Sequence, residues 1–202
     1  MEKKRFDTRK LVLLAMLSGI LLVMSFTPLG YLNIGPLAIS LNMIPVAIGA
    51  VALGPGSGAF LGAVFGITSC LQCVGIGGTS AMGMILFEIS PILTIIQRLV
   101  TRVLAGWLTG IVYRGLRRLL HHYAVFVAGF CAALFNTLFF MAALVLLFGQ
   151  TDYLQELIAG RNILVFMCTF VGVNALVELL ASTVTVGAVC KALEKLKLIG
   201  GK

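Results

Sequence analysis

Apolar residues fill this chain in long runs, and its polar positions gather in the gaps between them. The runs cover residues 11–26, 41–53, 58–70, 91–120, 123–148 and 162–193. Most approach the roughly 20 residues that an α-helix needs to cross a bilayer, so the pattern predicts six transmembrane helices. The second and third runs are short, and Gly54-Pro55-Gly56 forces a tight break between them, because proline interrupts the backbone hydrogen-bond ladder. They are read as short or tilted spans. Pro91 suits a first helical turn and opens the fourth run. The first run follows a basic stretch, as a secretory signal would. Ser25-Phe26-Thr27-Pro28 lacks a small-x-small cleavage pattern, however, and further spans follow, so the run is read as a retained helix.

Composition turns this pattern into a multi-pass protein of the cell membrane. Of 202 residues, 60% are hydrophobic and 11% charged, and mean hydropathy is +1.09. A single composition regime predicts one membrane domain over residues 1–202. It comprises an N-terminal segment at 1–10, an all-α six-helix bundle at 11–193 and a tail at 194–202. Nothing in it is large enough to form a soluble ATP-binding domain. Net charge is +8, and twelve of the fifteen basic residues sit in three places. Lys3, Lys4, Arg5, Arg9 and Lys10 precede the first span, Arg114, Arg117 and Arg118 join the fourth to the fifth, and Lys191, Lys195, Lys197 and Lys202 follow the sixth. Basic residues beside short loops stay cytoplasmic, so both termini and the fourth link are predicted inside, with loops 27–40, 72–90 and 149–161 outside. The surplus charge is thus an orientation signal. No basic soluble face exists to hold phosphates, and no nucleic-acid partner is expected.

The polar residues inside the spans carry the candidate chemistry. Arg98 and Arg102 stand one helical turn apart in the fourth run, with both guanidinium groups on one face. An ionisable group at membrane depth costs about 2.5–3.5 kcal/mol on insertion scales, so it faces a bundle interior, a cavity or a partner charge. Asn136 and Thr137 lie in the fifth run, and Asn174 and Glu178 share a face of the sixth. Two readings stand: a ligand pocket beneath the outer loops, or a hydrogen-bond network with an Arg–Glu pair that glues the helices. Gly75-Ile76-Gly77-Gly78-Thr79-Ser80 is either a lid over such a pocket or a flexible connector.

Several stretches resemble one family. Ile34-Gly35-Pro36-Leu37, Ile44-Pro45-Val46-Ala47-Ile48-Gly49-Ala50, Leu53-Gly54-Pro55 and Gly58-Ala59-Phe60-Leu61-Gly62 look like the helix 2–3 region of the S components of energy-coupling factor (ECF) vitamin transporters. Arg98 with Ala105-Gly106, Phe135-Asn136-Thr137 and Val173-Asn174-Ala175-Leu176-Val177-Glu178 resemble their helices 4, 5 and 6, so the likeness covers residues 11–193, nearest the pantothenate-type members. The resemblance implies a substrate-binding subunit without enzyme activity. Such a subunit captures a vitamin outside, docks on a membrane coupling subunit with two cytoplasmic ATPases, and delivers its ligand by toppling in the bilayer. It implies docking through a small-xxx-small motif in helix 1, matched by Ala15 and Gly19; internal packing of that helix is the alternative. It also implies that Arg98 grips a carboxylate, for which a guanidinium offers a bidentate fork. Asn136, Asn174 and Asn42 would bind amide and hydroxyl groups, with Tyr31 and Glu178 in the same pocket and Arg102 pairing with Glu178. Gly54-Pro55-Gly56-Ser57-Gly58 lacks the Lys-Ser/Thr of a Walker A motif, in keeping with ATP hydrolysis lying elsewhere.

Two other classes of function compete. Cys70-Leu71-Gln72-Cys73 at the outer end of the third run suggests a membrane thiol oxidoreductase, but Cys131, Cys168 and Cys190 supply no second pair on that side. A lone CxxC is half of a tetrahedral metal site, and His121 and His122 fall on the opposite face, so no metal or cofactor is expected. A stand-alone secondary transporter usually has repeated halves, and none is evident between residues 1–100 and 101–202.

Overall fold

The computed structural model describes residues 8–27, 30–33, 38–77, 80–120, 123–160 and 162–196. Their elements run α1 (Thr8–Phe26), β1 (Tyr31–Asn33), β2 (Ala38–Ser40), α2 (Met43–Leu53), α3 (Pro55–Cys73), α4 (Ala81–Ile89), α5 (Pro91–Leu116), α6 (Ala124–Phe148), α7 (Asp152–Ile158) and α8 (Ile163–Lys195). Helices α1, α3, α5 and α6 and residues 174–195 of α8 are long and apolar enough to cross a membrane, and α2 is a shorter apolar helix. Five of the six predicted runs are thus long enough to cross among the described residues, and the second is a shorter apolar helix. Helix α2 is too short to cross by itself and buries Met43, Val46, Ala47, Ile48 and Val51 around its circumference. A helix apolar on every side is stable only when wrapped by others.

Local chemistry sets the boundaries. Gly54 takes φ +104° and Pro55 fills the first turn of α3, so the third span starts at Pro55 rather than residue 58 and runs on to Cys73. The fourth span opens at Pro91 as predicted but stops at Leu116. The connecting segments hold three elements that the apolar pattern did not show. Strands β1 and β2 pair antiparallel with Tyr31 opposite Ser40 and Asn33 opposite Ala38, adding a small ribbon to the helical bundle. Helix α4 starts at Ser80, whose Oγ accepts the Gly83 N–H at 3.3 Å. Helix α7 ends at Ala159, in the left-handed region at φ 50°. Residues 34–37, residues 78–79 of the glycine loop, His121 and His122 lie outside the described residues, as do Lys3, Lys4, Arg5, Lys197 and Lys202 of the basic clusters.

Helices α3 and α5 run antiparallel in close contact. Gly58, Gly62 and Gly66 make one stripe along α3, and a Cβ on any of them would strike the α5 backbone, at Gly106, Arg102 and Leu99 respectively. Small residues at such spacing let helix backbones approach closely in a membrane. The main apolar core joins α1, α2, α3, α5, α6 and α8 around Leu21, Val46, Leu61, Phe65, Ala128 and Val186. A second cluster of Met82, Leu86, Met141, Leu144, Phe148, Leu154 and Ile158 packs α4 and α7 onto the end of α6. Helices α4 and α7 therefore close one end of the bundle, the end that also carries the β-hairpin.

Candidate functional site

Helix α5 is inside out. Thr94, Gln97, Arg98, Thr101, Arg102, Thr109 and Tyr113 are buried, whereas Ile92, Ile95, Ile96, Val100, Leu104, Trp107 and Ile111 are exposed. In lipid the apolar face turns outward and the polar stripe turns in, since unsatisfied polar groups are costly in hydrocarbon. The stripe recurs every three or four residues and is visible in the sequence, yet only its two arginines stand out there. Gln97, at 0% exposure and with neither amide atom partnered, is the residue that sequence reasoning missed.

Arg98 ties three elements together. Its Nη1 donates to Ser69 Oγ of α3 at 2.7 Å and its Nη2 to Ser80 Oγ at the start of α4 at 3.2 Å. Arg102 is one turn deeper and gives one hydrogen bond among the described residues, from Nη1 to the Arg98 carbonyl at 3.0 Å. Its guanidinium lies 4.5 Å from the Phe65 ring centroid and 5.8 Å from that of Phe140, and Arg98 shares Phe140 at 6.0 Å. The Nε of both arginines is buried without a partner among the described residues.

The Arg102–Glu178 pair expected from the sequence does not form. Glu178 Oε1 instead accepts the Ser40 N–H at 2.6 Å, which fastens strand β2 to α8, and no ion pair within 4.0 Å joins it to Arg102 among the described residues. The hairpin ribbon brings Tyr31 and Asn42 to the same end. Tyr31 presents a buried hydroxyl without a partner among the described residues. Asn42 occupies the N-cap position of α2, where asparagine normally accepts a backbone N–H, but it makes no cap bond. Both its amide atoms are unpartnered at 0% exposure, with Gly30 passing so close that a Cβ there would meet Asn42 Oδ1. A buried polar group left unsatisfied costs about 1–3 kcal/mol, so each of these atoms calls for a partner.

Other polar residues in the bundle behave differently. Gln72 Nε2 donates to the Ser25 carbonyl at 2.7 Å, Thr68 Oγ1 to Ser25 Oγ at 3.1 Å, and Ser182 Oγ to the Gly129 carbonyl at 2.8 Å. These are satisfied cross-helix bonds of the kind that hold membrane bundles together. Asn136 on α6 and Asn174 on α8 are both buried at 9% exposure, Asn136 one turn before Phe140 and Asn174 one turn before Glu178, and Asn174 has a partner. Cys70 and Cys73 are unbridged on the last turn of α3, and Cys73 Sγ donates to the Ser69 carbonyl at 3.2 Å. Cys131 and Cys190 are elsewhere on α6 and α8, and the Cys168 side chain lies outside the described residues. Ala15 and Gly19 are on the outward face of α1, and a Cβ at Gly19 would meet nothing within 4 Å, so they do not serve internal packing.

Comparison with curated proteins finds no match to the chain. A family model described as "ECF transporter, substrate-specific component" matches residues 9–189, from the start of α1 into the last turns of α8 and across every residue of the polar cluster. The chain therefore belongs to that family, the multi-pass membrane subunits that bind the substrate of an ECF importer.

Proposed function

We propose that the chain captures a small carboxylate-bearing micronutrient, best read as pantothenate, outside the cell and delivers it inward when docked on a coupling subunit and two ATPases. One observation carries this reading: Tyr31, Asn42, Gln97, Arg98 and Arg102 hold buried polar atoms without partners among the described residues. Among the described residues no acid lies within 4.0 Å of either guanidinium, so an anionic ligand answers both the charge and the vacant donors. Asn42 and Gln97 offer paired donor and acceptor atoms of the sort that a secondary amide or a hydroxyl requires. Asn136, Asn174, Glu178 and Tyr31 border the same ligand in this reading.

Delivery is proposed to proceed by toppling. The exposed stripe with Ala15 and Gly19 on α1 is proposed as the contact with the coupling subunit, because small residues admit a partner helix at short range. Members of this family are transporter subunits and not enzymes, so Cys70 and Cys73 are assigned no thiol exchange. Mass spectrometry of small molecules released from purified, denatured protein tests the ligand. Pantothenate upholds the reading, whereas a flavin, thiamine or folate keeps the family and removes the carboxylate-led choice of substrate. Uptake without the ATPase module would revive a stand-alone transporter.

A further inference from the structure

We infer that Arg102 is a second anion-binding residue of this site, so that the ligand's carboxylate rests against a pair of guanidinium groups instead of Arg98 alone. The inference rests on the reading of the site as a ligand pocket and goes further by dividing labour between the two arginines. Arg98 spends both terminal nitrogens on Ser69 and Ser80, which join α3 to the start of α4. Arg102 is 6% exposed and gives a single bond, to the carbonyl of its own helix, with Nε left over. Among the described residues Glu178 forms no ion pair with it and instead accepts the Ser40 N–H. Arg102 thus has the larger unused donor capacity, and the rings of Phe65 and Phe140 fix its plane.

Charge sets the ligand class. Among the described residues no acid lies within 4.0 Å of either guanidinium, so an anionic ligand supplies the counter-charge that a neutral one leaves missing in a low dielectric.

Titration of the purified full-length protein with pantothenate and with panthenol, the alcohol that replaces the carboxylate with a hydroxymethyl group, tests this. The wild type is expected to prefer pantothenate. Arg102→Gln should lose pantothenate affinity by roughly 10- to 100-fold while holding panthenol near its original affinity, since only the charge-assisted bonds to the carboxylate are removed. Retained panthenol binding also shows that the variant folds, and Arg102→Lys, which keeps the charge without the fork, should fall between the two. An unchanged preference in Arg102→Gln overturns the inference. If the wild type binds neither probe, the pantothenate reading fails by itself, and mass spectrometry of co-purified compounds decides Arg102. A released anion that is missing from Arg102→Gln supports the inference; no released anion, or equal release from both proteins, overturns it.

Discussion

A guanidinium buried in a membrane bundle needs acceptors for five N–H donors, and the site shows how far this protein meets that demand from its own residues. Ser69 and Ser80 take two donors of Arg98, and the Arg98 carbonyl takes one of Arg102. Neither Nε is met. Replacing Arg98 by Ala removes the proposed carboxylate partner and also frees Ser69 of α3 and Ser80 at the start of α4. Ligand affinity should fall by about 2–4 kcal/mol, roughly 30- to 1,000-fold, as read by calorimetric titration. Unchanged affinity would remove Arg98 from the site. The arginine pair was legible in the sequence because charge is conspicuous in an apolar run. Gln97 was not, since a glutamine carries no such signal until the fold reveals both of its amide atoms buried and vacant.

Among the elements, α3 and α5 form the rigid part of the site. The glycines of α3 touch the α5 backbone beside the two arginines: Gly66 meets the turn with Arg98 and Leu99, and Gly62 meets the Arg102 carbonyl. Gly62→Val would push α5 away and displace both guanidinium groups, with a stability loss of about 1–3 kcal/mol or more expected in thermal unfolding of detergent-solubilised protein. The same substitution at Gly19 points into open space and should change stability by no more than about 0.5 kcal/mol. An equal loss at both positions would refute the close-packing account. Helix α1 supplies a separate test. Changing Ala15 and Gly19 together to Leu should abolish co-purification with the coupling subunit while ligand titration stays at the wild-type value. Retained assembly would move the docking surface off that stripe.

Taken whole, the molecule is a multi-pass membrane subunit of the ECF substrate-specific family with buried polar residues toward one end, and that family works with coupling and ATPase subunits. Ligand uptake into cells should therefore need the coupling subunit and active ATPases. Inactivating the ATPases should abolish accumulation of labelled pantothenate, while binding to the isolated chain persists. Accumulation that continues without them would make the chain a transporter in its own right. The hairpin, α4 and α7 all gather at the end where the cluster lies, and the Ser40–Glu178 bond and the Arg98–Ser80 bond fasten two of these covers to the bundle.

The sequence by itself determined the six apolar helices, because a bilayer imposes a length and a polarity that any reader of the chain can count. It also determined which charges are buried, since an arginine in such a run has nowhere else to go. The short elements were invisible to it. Helices α4 and α7 are nine and seven residues long, and the strands three each, too brief for any period to emerge. The short helices are held by packing on α6 and the strands by pairing with each other. Only the tertiary structure decided who partners whom. Glu178 could have neutralised Arg102 on the evidence of charge, and in the structure it accepts the Ser40 N–H of β2 instead. That exchange leaves a cation vacant, a property of arrangement in space that no single stretch of residues encodes.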